Sequence, residues 1–502
     1  MRRPVLLPAL IALAITAGPA SAHAQSPGAA GLGDRLAPLL GNGGYDALHY
    51  DLDLRYASAD GPIDGTVTIL ARATQGLSSF HLDFAGGAVG AVAVDGRPAA
   101  WRREGEELVI TPARPLRDGR RFTVTVARFT ATATAPGDEP SSYAFFRHED
   151  GTATAGQPFY AHFVYPSNDH PRDKASFTFR LTVPEGTTAV ANGLPLGRFG
   201  RTWVYLQRQP MATELTQLAV GDLDITRHGR RHGVLLRDVT AAPITDELLP
   251  KLAVTPAQLD WLEDRVGRYP FDVYGSLVVR ADLGFALETQ TLSIFDTAWF
   301  EAPQGLWDPT MMHELAHEWF GNSVAPYEWS DLWLNEGHAS WYEFLWAEER
   351  GFLADDTTGW PDPTGYATLE ELMRAVYAHG DEWRAAFGPV ARPVDADALF
   401  SFQRYHGGAL VLYALRNRVG EATFARIERA WVNRYEDRSA STADFIALAS
   451  RLARQDLGPF LRTWLYGTTT PPMPGHPEWT VDPVAAPAPA ARALGPALRP
   501  RP

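Results

Sequence analysis

Met312-His313-Glu314-Leu315-Ala316-His317-Glu318-Trp319-Phe320, followed by Trp333-Leu334-Asn335-Glu336-Gly337, decides how the rest of the chain is read. The first stretch is an H-E-x-x-H pattern. On a helix, residues four apart share a face, so His313 and His317 can present two imidazoles to one ion. Glu314 lies one step round the turn, close to the water such an ion activates. Taken alone, the pattern also fits a surface helix with two solvated histidines.

A catalytic zinc takes three protein ligands and keeps its fourth position open. Glu336 is the candidate third ligand, nineteen positions after His317. That interval holds a turn and the start of a second helix running back beside the first. Together, His313, His317 and Glu336 predict one zinc per chain, with Glu314 as general base.

Outward from this centre, the C-terminal half reads as helical. Thr255 before Pro256 looks like an N-cap with proline at the first helical position; Leu259, Leu262 and Val266 share a face, and Gly267 is placed to end the helix. Residues 407–418 and 421–435 show the same period, and Ser441 with Asp444 has capping-box spacing ahead of Phe445, Leu448 and Leu452. Toward the N-terminus the period changes to two: Tyr50, Leu52, Leu54 and Tyr56 alternate with charged neighbours. Runs at 67–70, 80–84, 92–94, 108–110, 122–129 and 176–183 continue as short strands, interrupted by a loop-rich excursion at 130–156. The expected fold class is α+β and multidomain: a β-rich domain over 45–228, then a mostly helical domain over 229–482.

The ends read differently. Residues 1–24 carry Arg2 and Arg3, an apolar run at 5–17 and small residues up to Ala24, the pattern of a signal peptide. The apolar run is shorter than a membrane span. The chain is thus expected to be secreted or periplasmic once that segment is removed. Residues 25–44, rich in Gly, Ala and Pro, read as a flexible leader, and 483–502 as a disordered Ala/Pro tail.

Composition narrows the function further. The 502 residues carry 45 Lys+Arg against 59 Asp+Glu, a formal charge of −14, which argues against nucleic acid or an anionic membrane as partner. Without cysteine, no disulfide can stabilise the exported chain. No Gly-x-Ser-x-Gly elbow, phosphate loop or dinucleotide fingerprint is present. Of the fifteen tryptophans, Trp319, Trp329, Trp333, Trp341 and Trp346 cluster around the zinc motifs and read as core rather than as a sugar platform.

These motifs resemble those of the gluzincin metallopeptidases, in particular the aminopeptidase N family in a short, exported form. The family's zinc site has H-E-x-x-H, eighteen residues, then Glu in an Asn-Glu-Gly context, as from His313 to Gly337. Its Gly-Ala-Met-Glu-Asn motif is similar to Phe285-Ala286-Leu287-Glu288-Thr289, where only Ala286 and Glu288 match. Tyr405-His406-Gly407-Gly408 resembles its Tyr-x-Lys-Gly, with Gly407 in the place of Lys. Residues 166–171 resemble its Pro-x-x-Asp-x-Pro. The resemblance implies a saddle-shaped β domain over a thermolysin-like catalytic domain. It implies that Glu288 binds the substrate's α-ammonium and that Tyr405 donates to the tetrahedral oxyanion. It also places Gln157 at the amine site, where most members carry Glu and the leukotriene hydrolase branch carries Gln.

The implied activity is zinc-dependent removal of N-terminal residues from peptides with free N-termini. A thermolysin-like endopeptidase, which needs no Glu288, and a non-catalytic zinc-bearing peptide-binding protein are the alternatives. Large family members enclose the site with a further helical domain, so a more open cleft is expected here.

Overall fold

The computed structural model describes residues 25–59, 61–137, 140–354 and 365–483. The signal peptide expected at 1–24 and all but the first residue of the tail expected at 483–502 lie outside them.

The N-terminal half is built on an eight-stranded sheet. Its spatial order is Leu194–Phe199, Thr202–Met211, Ala175–Thr182, Tyr45–Tyr56, Ile63–Ala73, Arg121–Ala131, Ala91–Val94 and Arg97–Pro98. The alternation read at Tyr50, Leu52, Leu54 and Tyr56 is the inward face of one strand, and all four are buried. Tyr50 stacks on Phe177 of the parallel neighbour, with centroids 4.7 Å apart. A four-stranded sheet of Ser26–Pro27, Leu77–Asp83, Glu107–Thr111 and Ala100–Glu104 packs into the same core.

Three expectations need correction. The excursion at 130–156 contains a hairpin, Phe145–His148 with Gly151–Thr154, in a separate sheet with Leu218–Gly221 and Thr188–Ala191. The expected domain boundary at 228 falls inside the strand Leu223–Arg231. That strand pairs with Val234–Ala241, which runs parallel to Ser276–Val279 and, through it, Ser293–Asp296. The second half therefore opens on a sheet, not on helices. Most residues of these inner strands are buried, and strands covered on both faces lose the period-two signal.

The third correction concerns 25–44, which is packed rather than flexible. Ser26–Pro27 pairs with the Leu77–Asp83 strand, and Leu36 and Ala37 are buried against Trp329, Leu332 and Leu399. Asp34 is the pin: it accepts from Leu36 N at 2.8 Å and Trp329 N at 2.7 Å and bonds His170 Nε2 at 3.2 Å. This strap joins both halves of the chain through hydrogen bonds that its composition does not advertise.

Burial alone would raise the Asp34 carboxyl. The His170 bond and the Trp329 and Leu36 N–H groups outweigh it and hold the group below the ordinary range. A depressed carboxylate stabilises the fold above its unfolded pKa, about 3.9, and that contribution is lost as pH falls through the folded value. Asp34→Ala should therefore lower the urea midpoint at pH 7, by about 1–3 kcal/mol of stability for an emptied buried network. The gap to wild type should close in acid; a gap that persists at pH 2 would contradict the assignment.

Helices complete the second half. Gln304–Ala316 and Trp333–Arg350 carry the zinc motifs, followed by His406–Val419, Glu421–Tyr435 and Thr442–Ala453. The Ser441/Asp444 capping box forms as expected. Thr255 is the first helical residue rather than the cap, while Gly267 ends that helix with φ +113°. Trp319, Trp329, Trp333, Trp341 and Trp346 are all at most 1% exposed and form core.

Candidate active site

The site exists because two helices can touch backbone to backbone. A Cβ on Gly337 would lie 2.9 Å from Gly408, and one on Gly408 would lie 2.8 Å from Gly337. That contact brings Glu336, in the first turn of Trp333–Arg350, beside Tyr405, which precedes the helix His406–Val419. Gln304–Ala316 delivers His313 in its last turn and His317 at its C-cap.

The three expected ligands converge. Glu336 Oε2 lies 3.5 Å from His313 Nε2 and 3.4 Å from His317 Nε2, and all three side chains are buried. His317 Nδ1 bonds to Phe320 O at 3.0 Å, and His313 Nδ1 to Glu343 at 2.8 Å. With each Nδ1–H donated outward, both Nε2 lone pairs face Glu336.

This donor set fits a zinc ion. The ligand atoms lie within 4.8 Å of one another, and Glu336 Oε2 is buried without a hydrogen-bond partner. Burial pushes the His313 imidazole down, but the neighbouring carboxylates of Glu336 and Glu343 raise it well above its usual range. His317 is likewise lowered by burial yet carried up to about 9 by Glu288 and Glu336. Burial raises Glu336, but the two histidines bring it down to about 2. The pocket attracts positive charge, and a dication can take the place of the imidazolium protons.

Glu343 was not read from the sequence as a site residue. The available signal was its place seven residues after Glu336, on the same helix face. A partner that orients a metal-binding histidine is worth 10–100-fold in metal affinity or activity. Glu343→Gln should raise the zinc dissociation constant about 10-fold or more, measured by competition with a chromophoric chelator; unchanged affinity would remove Glu343 from the site.

Glu314 is 5% exposed, and its Oε2 has no hydrogen-bond partner. Burial, offset by His313 and His317 and reinforced by Glu288 and Glu336, sets its carboxyl at about 8. The Tyr405 ring lies over His313, with centroids 5.8 Å apart and planes 15° apart. Its phenol is raised well above 10 by burial and by Glu336, Glu288 and Glu314, so it stays a proton donor.

Glu288 is 3% exposed, and one of its carboxylate oxygens lies within 4.8 Å of ligating atoms of both Glu314 and His317. Gln157 Nε2 donates to Glu288 Oε1 at 2.6 Å, so the two expected amine-site residues meet. The Pro166–Pro171 segment supports this arrangement without entering it. Asp169 accepts from His162 N at 3.1 Å and Thr213 Oγ1 at 2.7 Å and bonds His162 Nδ1 at 2.6 Å, holding the loop that presents Gln157.

Comparison with known proteins agrees with this geometry. Residues 46–201 match the peptidase M1 N-terminal domain, and 267–464 the peptidase family M1 domain. Leucine aminopeptidase 2 of Eremothecium gossypii is 27% identical over 84% of this chain and 68% of its own length. Aminopeptidase N of Streptomyces lividans is 26% identical over 84% of this chain, which spans half of that protein. A mutant M1 zinc metallopeptidase from Deinococcus radiodurans, solved bound to a Tyr-Ser-Ala substrate, is 30% identical with a TM-score of 0.75. That alignment covers 89% of this chain and 100% of the other. With both domains matched and the zinc ligands converging within the second of them, this chain belongs to the peptidase M1 family.

Proposed function

We propose that this chain is a zinc-dependent aminopeptidase that hydrolyses the N-terminal residue from peptides. The observation that carries the reading is the Glu288–Gln157 pair beside the zinc ligands. A carboxylate there takes a free α-ammonium and leaves the first amide over the ligand cluster. Because Gln157 turns an amide N–H to Glu288, its carbonyl oxygen can accept a second ammonium proton. An endopeptidase needs neither group.

Zinc, when held by His313, His317 and Glu336, supplies Lewis-acid activation of water and of the scissile carbonyl. Glu314 takes the water's proton and returns it to the departing amine. Tyr405 donates a hydrogen bond from its hydroxyl to the oxygen that becomes negative in the tetrahedral state. Glu288 and Gln157 hold the amino end, so the reacting carbonyl arrives already oriented.

Fluorogenic aminoacyl amides with free and acetylated N-termini, with and without a zinc chelator, test the reading. Chelator-sensitive cleavage of free termini alone is the expected result. Equal cleavage of acetylated substrates would overturn it in favour of an endopeptidase, and zinc binding without turnover in favour of a binding protein.

We also propose export, on the strength of the charged, apolar and small-residue pattern at 1–24. No helix of the described residues is long and apolar enough to cross a membrane. A mature protein beginning at Gln25 in the external fraction, identified by mass, is the expected outcome; retention of the first 24 residues would refute it.

A further inference from the structure

Glu318 follows the ligand His317 and is wholly buried, yet it has no part in the chemistry above. Its carboxylate is saturated. Oε1 accepts from Thr291 N at 3.0 Å and Asn322 Nδ2 at 3.1 Å; Oε2 accepts from Thr291 N at 3.1 Å and the Tyr269 hydroxyl at 2.8 Å. No oxygen is left to face a metal or a substrate.

What Glu318 holds is a strained backbone. Thr291 is β-branched and has φ +68°, a region that favours glycine. Such a conformation persists only where its surroundings over-determine it. Here Glu318 takes the N–H, and Gly193 N donates to Thr291 Oγ1 at 2.8 Å. The strained residue closes the turn that begins at Glu288. The Glu288 carbonyl accepts from Asn322 Nδ2 at 2.7 Å, the same amide that serves Glu318, and Asn192 Nδ2 donates to Gln290 O at 2.6 Å. The Glu288 turn is thus bolted to the helix end that carries His317.

We propose that Glu318 is a positioning residue: by clamping Thr291 it sets the spacing between Glu288 and the metal ligands, and so the length of peptide removed. This rests on the aminopeptidase reading. From an α-nitrogen to its own carbonyl carbon is about 2.5 Å, and each further residue adds about 3.8 Å. Glu288 has a carboxylate oxygen within 4.8 Å of a ring nitrogen of His317, a span suited to one residue. If the turn relaxed by a few ångströms, the single-residue register would no longer be favoured.

The test uses zinc-loaded wild type, Glu318→Ala, Glu318→Gln, and Glu318→Ala combined with Thr291→Gly. Each is assayed on aminoacyl, N-acetyl-aminoacyl and dipeptidyl fluorogenic amides. Calorimetry with L-leucine and N-acetyl-L-leucine gives a readout independent of turnover. In Glu318→Ala, kcat/KM on the aminoacyl amide should fall about 10-fold or more, chiefly through KM, with zinc content unchanged. The other two substrates should change less, and L-leucine should bind more weakly while N-acetyl-L-leucine does not. Glycine at position 291 accepts the left-handed backbone unaided, so the double variant should regain part of the aminoacyl preference. Glu318→Gln, which keeps one acceptor oxygen, should fall between; it also decides the matter by the same ratio if the alanine variant does not fold. An unchanged ratio in a folded, zinc-bearing variant, or equal losses on all substrates, would overturn the proposal. A wild type without preference for free amines would sink the aminopeptidase reading and this inference with it. Discrimination retained equally by wild type and variants would sink the inference alone.

Discussion

Glu314→Gln should lower kcat by about 10²–10⁴-fold, the usual worth of a positioned general base, while zinc content stays at one per chain. The metal should remain because His313, His317 and Glu336, not Glu314, form the converging ligand set. The substitution preserves shape and removes the ability to take a proton, so KM should change little. The pH profile gives a second check. Before a dication is bound, the Glu314 carboxyl stands at about 8, raised by burial; the positive charges of His313 and His317 lower it, and Glu288 and Glu336 raise it again. Zinc beside it lowers it further. The base must be ionised to act, so activity falls as pH drops through the carboxyl's lowered pKa in the zinc-loaded enzyme, and this acid limb should vanish in the glutamine variant. A zinc-bearing Glu314→Gln protein with wild-type turnover would refute the mechanism.

Tyr405→Phe should cost about 10²–10³-fold in kcat, the measured worth of one oxyanion donor, with KM nearly unchanged. The split follows from timing: the phenol meets a neutral carbonyl in the bound substrate and a negative oxygen only in the transition state. Burial and the nearby carboxylates hold the phenol well above 10. Any loss of wild-type activity at pH 8–9 must therefore come from another group, and the same basic limb should persist in the phenylalanine variant. Equal effects on kcat and KM would instead make Tyr405 a packing residue over the His313 ring.

Glu314 and Tyr405 differ in how far the sequence reveals them. Glu314 is legible because its neighbours define it: His313 and His317 are one turn apart, and helical periodicity alone gives them one face. Tyr405 stands 69 positions beyond Glu336. Its role came from the resemblance, and its location comes from the Gly337–Gly408 contact, which no local pattern reports. Glu288 and Gln157 are 131 positions apart and meet through a single hydrogen bond.

The same distinction separates the elements legible in the sequence from those that are not. The amphipathic helices, the Ser441/Asp444 cap and the half-buried strand Tyr45–Tyr56 repeat their signal every few residues, so composition and spacing suffice. The strands Val234–Ala241 and Ser276–Val279 are covered on both faces and show no alternation to read. The strap at 25–44 looks flexible by composition and is held by Asp34, whose partners Trp329 and His170 lie more than 130 positions away.

The sequence by itself determined the zinc ligands, the general base and the division into a β-rich and a helix-rich half, because each follows from short motifs and local periodicity, with Glu336 only nineteen positions beyond His317. Only the tertiary structure decided that Glu343 orients His313, that Glu318 clamps the Glu288 turn through a strained Thr291, and that residues 25–44 tie the halves together. Those contacts join residues tens to hundreds of positions apart, and their energies depend on burial and geometry that exist only once the chain has folded.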